Sequence, residues 1–147
     1  EINASLAGEM SGHIFFNDKW YGFDDGIYAA ARLLEILSEF KDPSKILKDL
    51  PKSFSTPELN IKLKEGEQHT IISKLQETAE FPEAIDIIKI DGLRIEYTDG
   101  FGLMRASNTT PVIVLRFEAE SKEKLKSIQD EFKLKLIEYI PPENIPF

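Results

Sequence analysis

"DGLRIEYTDGFGLMRASNTTPVIVLRFEA" (residues 91–119) is the stretch that decides the fold. Leu93, Ile95 and Tyr97 alternate with Arg94, Glu96 and Thr98, the period of two expected of a strand with one dry and one wet face. The Asp-Gly pairs at 91–92 and 99–100 read as two-residue hairpin turns. "VIVLRFEA" (112–119) is a further strand. Working outward, "LNIKL" (59–63) alternates in the same way, and "AIDIIKI" (84–90) is another strand. "GEQHTIISKLQETAEF" (66–81) carries Ile71, Ile72, Leu75 and Ala79 on one helical face. Ser121 caps a last helix whose buried stripe is Leu125, Ile128, Phe132, Leu136 and Tyr139, and the prolines at 141–142 are expected to stop it. Strand, helix, three or four strands, helix describes an α+β unit: an antiparallel sheet with helices on one face and water on the other.

The first third has a different texture. "HIFFN" (13–17) reads as a short strand and "FDDGIYAAARLLEILSEF" (23–40) as a helix capped by Asp24 or Asp25. Ile27, Ala30, Ala31, Leu34 and Leu37 recur at helical spacing as one apolar stripe. Asp42 and Pro43 start a short helix that Pro51 ends, and "KSFSTPE" (52–58) reads as a linker or loop. A boundary therefore falls across residues 41–57, with one domain piece at 1–40 and a compact domain at 58–147.

Composition limits the partners. The net charge of -8 disfavours nucleic acid and anionic membrane surfaces, although a few aimed donors still suffice for a local anion site. The absence of cysteine excludes disulfides and thiolate metal sites, and two histidines make a zinc cluster a poor reading. No apolar run approaches the ~20 residues of a membrane span, and the first residues lack a signal-peptide layout, so the cytoplasm is expected.

Two polar stretches carry chemistry. "RASNTTP" (105–111) offers a guanidinium, an amide and several hydroxyls at the end of a strand. Such side chains commonly do no more than fold a turn. They also suit a phosphate, whose oxygens accept a forked pair of bonds from Arg105 and single bonds from hydroxyls and backbone N–H groups. "GEMSGH" (8–13) sets Glu9 and Ser11 between glycines with His13 directly after them, and a carboxylate beside a hydroxyl suits a pair of neighbouring sugar hydroxyls.

Together, "GEMSGHIFF", "FDDGIYAAARLLEIL" and "DGLRIEYTDGFGLMRASNTTPVIVLRFEAES" resemble the C-terminal part of the phosphomannomutase/phosphoglucomutase family, the α-D-phosphohexomutases, over residues 6–121. The resemblance implies that residues 1–40 are a strand–helix remnant of a third, α/β domain. Residues 58–147 would be a TATA-binding-protein-like fourth domain. It implies that Glu9 and Ser11 hold the sugar's 3- and 4-hydroxyls and that His13 lies near the reacting oxygen as a candidate general acid/base. It implies that Arg105, Ser107, Asn108 and Thr109, with Thr110 beside them, clamp the phosphate that does not react. Hexose phosphates (of mannose or glucose) are the implied ligands. Magnesium and the activator glucose 1,6-bisphosphate are implied for the parent enzyme. The family's phosphoserine and Asp-x-Asp-x-Asp metal loop match nothing here, so no metal ligand and no cofactor are assigned to these residues, and the chain alone is expected to be inactive. The alternative is a stand-alone binding or interaction module; its net charge argues against DNA. The strand at 13–17 is expected to leave both edges open and the helix after it an apolar face, which points to a dimer through residues 1–40 or to packing elsewhere on the same chain.

Overall fold

The structure, a computed structural model, describes residues 3–9 and 11–147; Met10 of "GEMSGH" lies outside them. The chain divides into two compact units, Glu1–Pro51 and Lys52–Phe147.

In the second unit, six strands form one antiparallel sheet in the order β3-β8-β7-β6-β5, with β4 also on β8. The strands are β3 Phe54–Ser55, β4 Leu59–Lys62, β5 Asp86–Ile88, β6 Leu93–Tyr97, β7 Gly100–Ala106 and β8 Val112–Ala119. β3 and β4 lie along the same edge of β8, opposite Ala119–Glu118 and Leu115–Val112 respectively. Between them Thr56 keeps the edge closed: its N–H donates to the Phe117 carbonyl at 2.9 Å, and its hydroxyl accepts from the Phe117 N–H at 3.1 Å. "KSFSTPE", expected as a linker, thus contributes an edge strand. Its short ladder is built from Phe54 and Ser55, too brief to show a period.

The helices α3 (Glu67–Thr78) and α4 (Lys122–Leu136) cover one face of the sheet. Leu93, Ile95 and Tyr97 of β6, Met104 of β7, and Ile113, Leu115, Phe117 and Ala119 of β8 point into this core. Ile71, Ile72 and Leu75 of α3, and Ile128, Phe132 and Leu136 of α4, meet them. Gly102 sits where the strand passes under Phe132; a Cβ there would lie 2.5 Å from two atoms of that ring. The other face remains partly wet: Arg94 lies over the Phe101 ring at 3.7 Å and its Nε contacts Glu96 at 2.5 Å.

Several turn details depart from the sequence reading. Asp91–Gly92 does not make a two-residue hairpin: β5 ends at Ile88 and β6 starts at Leu93, leaving a wider turn in which Gly92 takes φ +91°. At the second Asp-Gly pair the loop is Thr98–Asp99, and Gly100 is already strand, paired with Tyr97. α4 ends at Leu136, before the two prolines, because Ile137 caps it through its N–H to the Lys133 carbonyl.

The first unit pairs β1 (Leu6–Gly8) with β2 (Ile14–Phe16) as an antiparallel hairpin, followed by α1 (Gly26–Ser38) and α2 (Pro43–Lys48). β1 corrects the expectation that β2 would have both edges open, and Phe15 makes a further bridge with Asp24. α1 meets the hairpin through Tyr28 and Arg32, not through the apolar stripe. Tyr28 packs edge-on to Phe16 and stacks on Trp20, and the Arg32 guanidinium lies 4.6 Å over Phe16 and bonds Asp18. Of the expected stripe, Leu37 is half-buried and the rest is exposed. α2 starts at Asp42 and Pro43 as read, but ends at Lys48, ahead of Pro51.

Candidate functional site

In the first unit the β1–β2 loop is a tight reversal. The Glu9 N–H donates to the His13 carbonyl at 2.9 Å, the Gly12 N–H donates to the Glu9 carbonyl at 3.0 Å, and Gly12 takes φ +92°. Folding the loop on its backbone leaves the side chains of Glu9, Ser11 and His13 exposed on one short segment. The Ser11 hydroxyl donates to Glu9 Oε2 at 3.0 Å, so a carboxylate and a hydroxyl are already aligned as one polar pair.

His13 is oriented by a residue whose part the sequence did not disclose. Its Nδ1 lies 2.6 Å from Asp24 Oδ2, and Asp24 Oδ1 accepts the Ile14 N–H at 3.2 Å. Asp24 therefore fixes both the ring and the start of β2, and Nε2 is the nitrogen left to face a ligand. The hydrogen bond and the negative charge of Asp24 raise the His13 pKa above its ordinary value, and the same bond lowers that of Asp24. Read from the sequence, Asp24 and Asp25 were equivalent helix caps. The structure divides the work: Asp25 Oδ1 accepts from the N–H groups of Ile27 and Tyr28 at 3.0 and 2.9 Å, which frees Asp24 for His13. This arrangement can present an oriented, readily protonated imidazole on the same short segment as a carboxylate–hydroxyl pair.

In the second unit Arg105 stands near the end of β7, paired with Val114 of β8, so its backbone is held by the sheet. The loop that follows is organised around one hydroxyl. Ser107 Oγ accepts from the N–H groups of Thr109 and Thr110, both at 3.3 Å, and lies 3.1 Å from Thr110 Oγ1 and 3.4 Å from Thr109 Oγ1. The Ser107 N–H donates to the Val112 carbonyl at 3.0 Å and closes the loop. The turn-forming role of these residues and the gathering of donors are thus one structure: the hydroxyls of Ser107, Thr109 and Thr110 converge because Ser107 folds the turn. Asn108 projects into a shallow depression shared with His69, Ser73, Gln76 and Asp91.

Beneath the loop, Gln68 of α3 is 3% exposed and its Nε2 donates to the Ser107 carbonyl at 3.4 Å, while Oε1 has no partner. Helical spacing puts Gln68 in line with Ile71, Ile72 and Leu75. A polar residue on an apolar face was the only available signal.

Glu9, Ser11 and His13 thus lie along one reversal of the first unit, and in the second the hydroxyls of Ser107, Thr109 and Thr110 gather on one loop, with Arg105 on the strand before it bonded to Asp91. Among the described residues no cluster of three or more acidic or histidine side chains is suited to a metal ion.

Comparison with known proteins finds matches in both units. The family model described as "Phosphoglucomutase/phosphomannomutase, C-terminal domain" matches residues 58–135. The model described as "Phosphoglucomutase/phosphomannomutase, alpha/beta/alpha domain III" matches residues 1–54. A phosphoglucomutase of Neisseria meningitidis is 62% identical over 90% of this chain and 29% of its own length. A phosphomannomutase/phosphoglucomutase of Pseudomonas putida is 51% identical over 100% of this chain and 32% of its own. A crystal structure of a phosphoglucomutase/phosphomannomutase family protein from Burkholderia thailandensis superposes with a TM-score of 0.87 at 56% identity, covering 98% of this chain and 30% of that one. The chain spans about a third or less of the length of the curated relatives it matches. From a matched C-terminal domain over more than half its residues, and a matched domain III before it, the chain belongs to the phosphoglucomutase/phosphomannomutase family.

Proposed function

We propose that the chain is the substrate-binding C-terminal portion of a phosphohexomutase and clamps the non-reacting phosphate of a hexose phosphate during 1-/6-phosphate interconversion. The observation that carries this reading is the pairing of Arg105, on a sheet-held strand end, with a turn that gathers three hydroxyls immediately after it. A guanidinium on a sheet-held backbone, followed in the chain by several single donors, matches a phosphoryl group better than a carboxylate, which has fewer oxygens to occupy. Binding energy from the remote phosphate orients the reacting end. In this reading residues 1–40 belong to domain III, 41–57 connect, and 58–147 form domain IV. Glu9 and Ser11 read the sugar hydroxyls, and His13, held by Asp24, is a candidate proton donor or acceptor through Nε2. A clamp that recognises only phosphate tolerates a substrate presented in either orientation. The phosphoserine, the magnesium and glucose 1,6-bisphosphate act elsewhere in the parent enzyme, in the cytoplasm.

The test is Arg105→Lys, which keeps the charge and removes the planar fork. In the longer enzyme that the proposal implies, it is expected to weaken transition-state stabilisation, read as kcat/KM, by about 1–3 kcal/mol, the scale of a charge-assisted hydrogen bond. Unchanged KM and kcat would remove Arg105 from the site.

A further inference from the structure

We infer that Asp91 is an internal counter-anion for Arg105, a carboxylate that occupies the phosphate clamp when it is empty and competes with the phosphate for the guanidinium. The inference rests on reading Arg105 and the 107–110 loop as an anion clamp. Arg105 Nη1 lies 3.3 Å from Asp91 Oδ2, and both side chains are open to solvent. Asp91 also lines, with Asn108 of the loop, one shallow depression.

The placement of Asp91 is built. Its turn is lashed to α3 by Gln76, whose Nε2 donates to the carbonyls of Gly92 at 2.6 Å and Lys89 at 3.1 Å. The Lys89 ammonium donates back to the Gln76 carbonyl. Gly92 adopts φ +91°, and a Cβ there would lie 2.8 Å from the Arg105 Cα and 2.7 Å from its Cβ. The turn therefore lies directly against the strand that carries Arg105, and only glycine permits that approach. The carboxylate is on a fixed support beside the guanidinium, not on a wandering loop.

The pair is also weak enough to exchange. It is a single contact between exposed groups, of the kind whose net contribution is small and screened by salt. A phosphate dianion offering forked bonds to Arg105 and acceptors for the loop hydroxyls displaces it. Once phosphate is bound, the charge of Asp91 opposes its retention.

The test is a titration of the 147-residue chain with inorganic phosphate at constant ionic strength, followed by the Arg105 Nε–H and loop amide resonances. Asp91→Asn and Asp91→Ala are compared with the unaltered chain and with Asp91→Glu. Both neutral variants are expected to bind phosphate roughly two- to fivefold more tightly at low salt, a gain that fades as salt rises, and Asp91→Glu is expected to stay near the parent value. Weaker binding in the neutral variants would make Asp91 a support for Arg105 and overturn the competition. Equal binding in all four proteins would overturn it while leaving the clamp in place. No response of Arg105 to phosphate in any of them would overturn both readings. Thermal unfolding of each variant separates a loss of fold from a loss of binding.

Discussion

Asp24 and Asp25 are adjacent, chemically identical and differently employed. Asp25 caps α1 through two backbone N–H groups, whereas Asp24 holds the His13 ring. Sequence spacing cannot separate them, because which one caps depends on where the chain leaves the helix, and that is set by the Phe15–Asp24 bridge. The consequence is measurable. His13 has a folded pKa above its ordinary value, so its contribution to stability is complete below the unfolded value of about 6.5 and fades as pH rises through the folded one. Asp24, with a lowered pKa, contributes above the ordinary carboxylate value and loses this as pH falls through the folded one. The ion pair exists between those two folded values. Asp24→Asn is expected to move the His13 midpoint, read from its ring proton shifts, down toward about 6.5. A midpoint that stays put would mean that Asp24 does not govern the ring. Gly102 is a second residue whose part only packing discloses. Its neighbours Phe101 and Leu103 announce a strand, but the need for glycine comes from Phe132, distant in sequence, lying across it. Gly102→Ala is expected to cost roughly 1–3 kcal/mol by overpacking, measured as a lower urea midpoint with an unchanged slope.

At the scale of elements, β4, β6, α3 and α4 were legible because each is long enough to repeat its period and turns one face to the core. The elements that escaped, β1 and β3, have three and two residues and are held by partners rather than by pattern. Helix starts were legible and helix ends were not. Asp42, Ser121 and one of the two aspartates before α1 are caps with a chemical signature, whereas α2 and α4 stop ahead of the prolines expected to end them. The α4 cap is a clean case: Ser121 Oγ accepts from the Lys124 N–H at 3.1 Å, with Glu123 in the first turn. Ser121→Ala is expected to destabilise the second unit by about 1 kcal/mol and Ser121→Asp to restore it, as followed by chemical denaturation. Loss without rescue by aspartate would point to packing of the side chain instead. The 107–110 loop belongs to this scale too. Its residue types were visible, but its shape depends on Ser107 as the hub and on Gln68 beneath it, and that contact is made across a separation of 39 residues.

At the scale of the whole molecule, the chain carries two polar loops, proposed above to bind substrate, but not the aspartate-rich metal loop or phosphoserine that the resemblance implies for phosphoryl transfer. It is therefore expected not to interconvert hexose 1- and 6-phosphates. Turnover dependent on Arg105, in a coupled assay with magnesium and glucose 1,6-bisphosphate, would refute this. The first unit poses the remaining physical problem. Its helix α1 meets the hairpin through Tyr28 and Arg32, and leaves Ile27 86% and Leu34 65% exposed, with Leu33 and Ile36 also in water. Burying such side chains is worth roughly 1.5–3 kcal/mol each, so two or three of them rival the ~5–15 kcal/mol that holds a small domain together. The β1–β2 hairpin closes one edge of β2, which lowers the drive for strand pairing but leaves the helix face unchanged. Self-association through residues 1–40 is the expected outcome at micromolar concentration, and it should be visible as a rise in mass by light scattering. Ile27→Lys together with Leu34→Lys adds two like charges to the face and should return the chain to a monomer without altering the second unit, checked by the amide spectrum of β6 to β8. A chain that is monomeric before any substitution, and whose first forty residues are cut rapidly by protease, would instead mean that this face remains solvated and the first unit is only marginally stable alone.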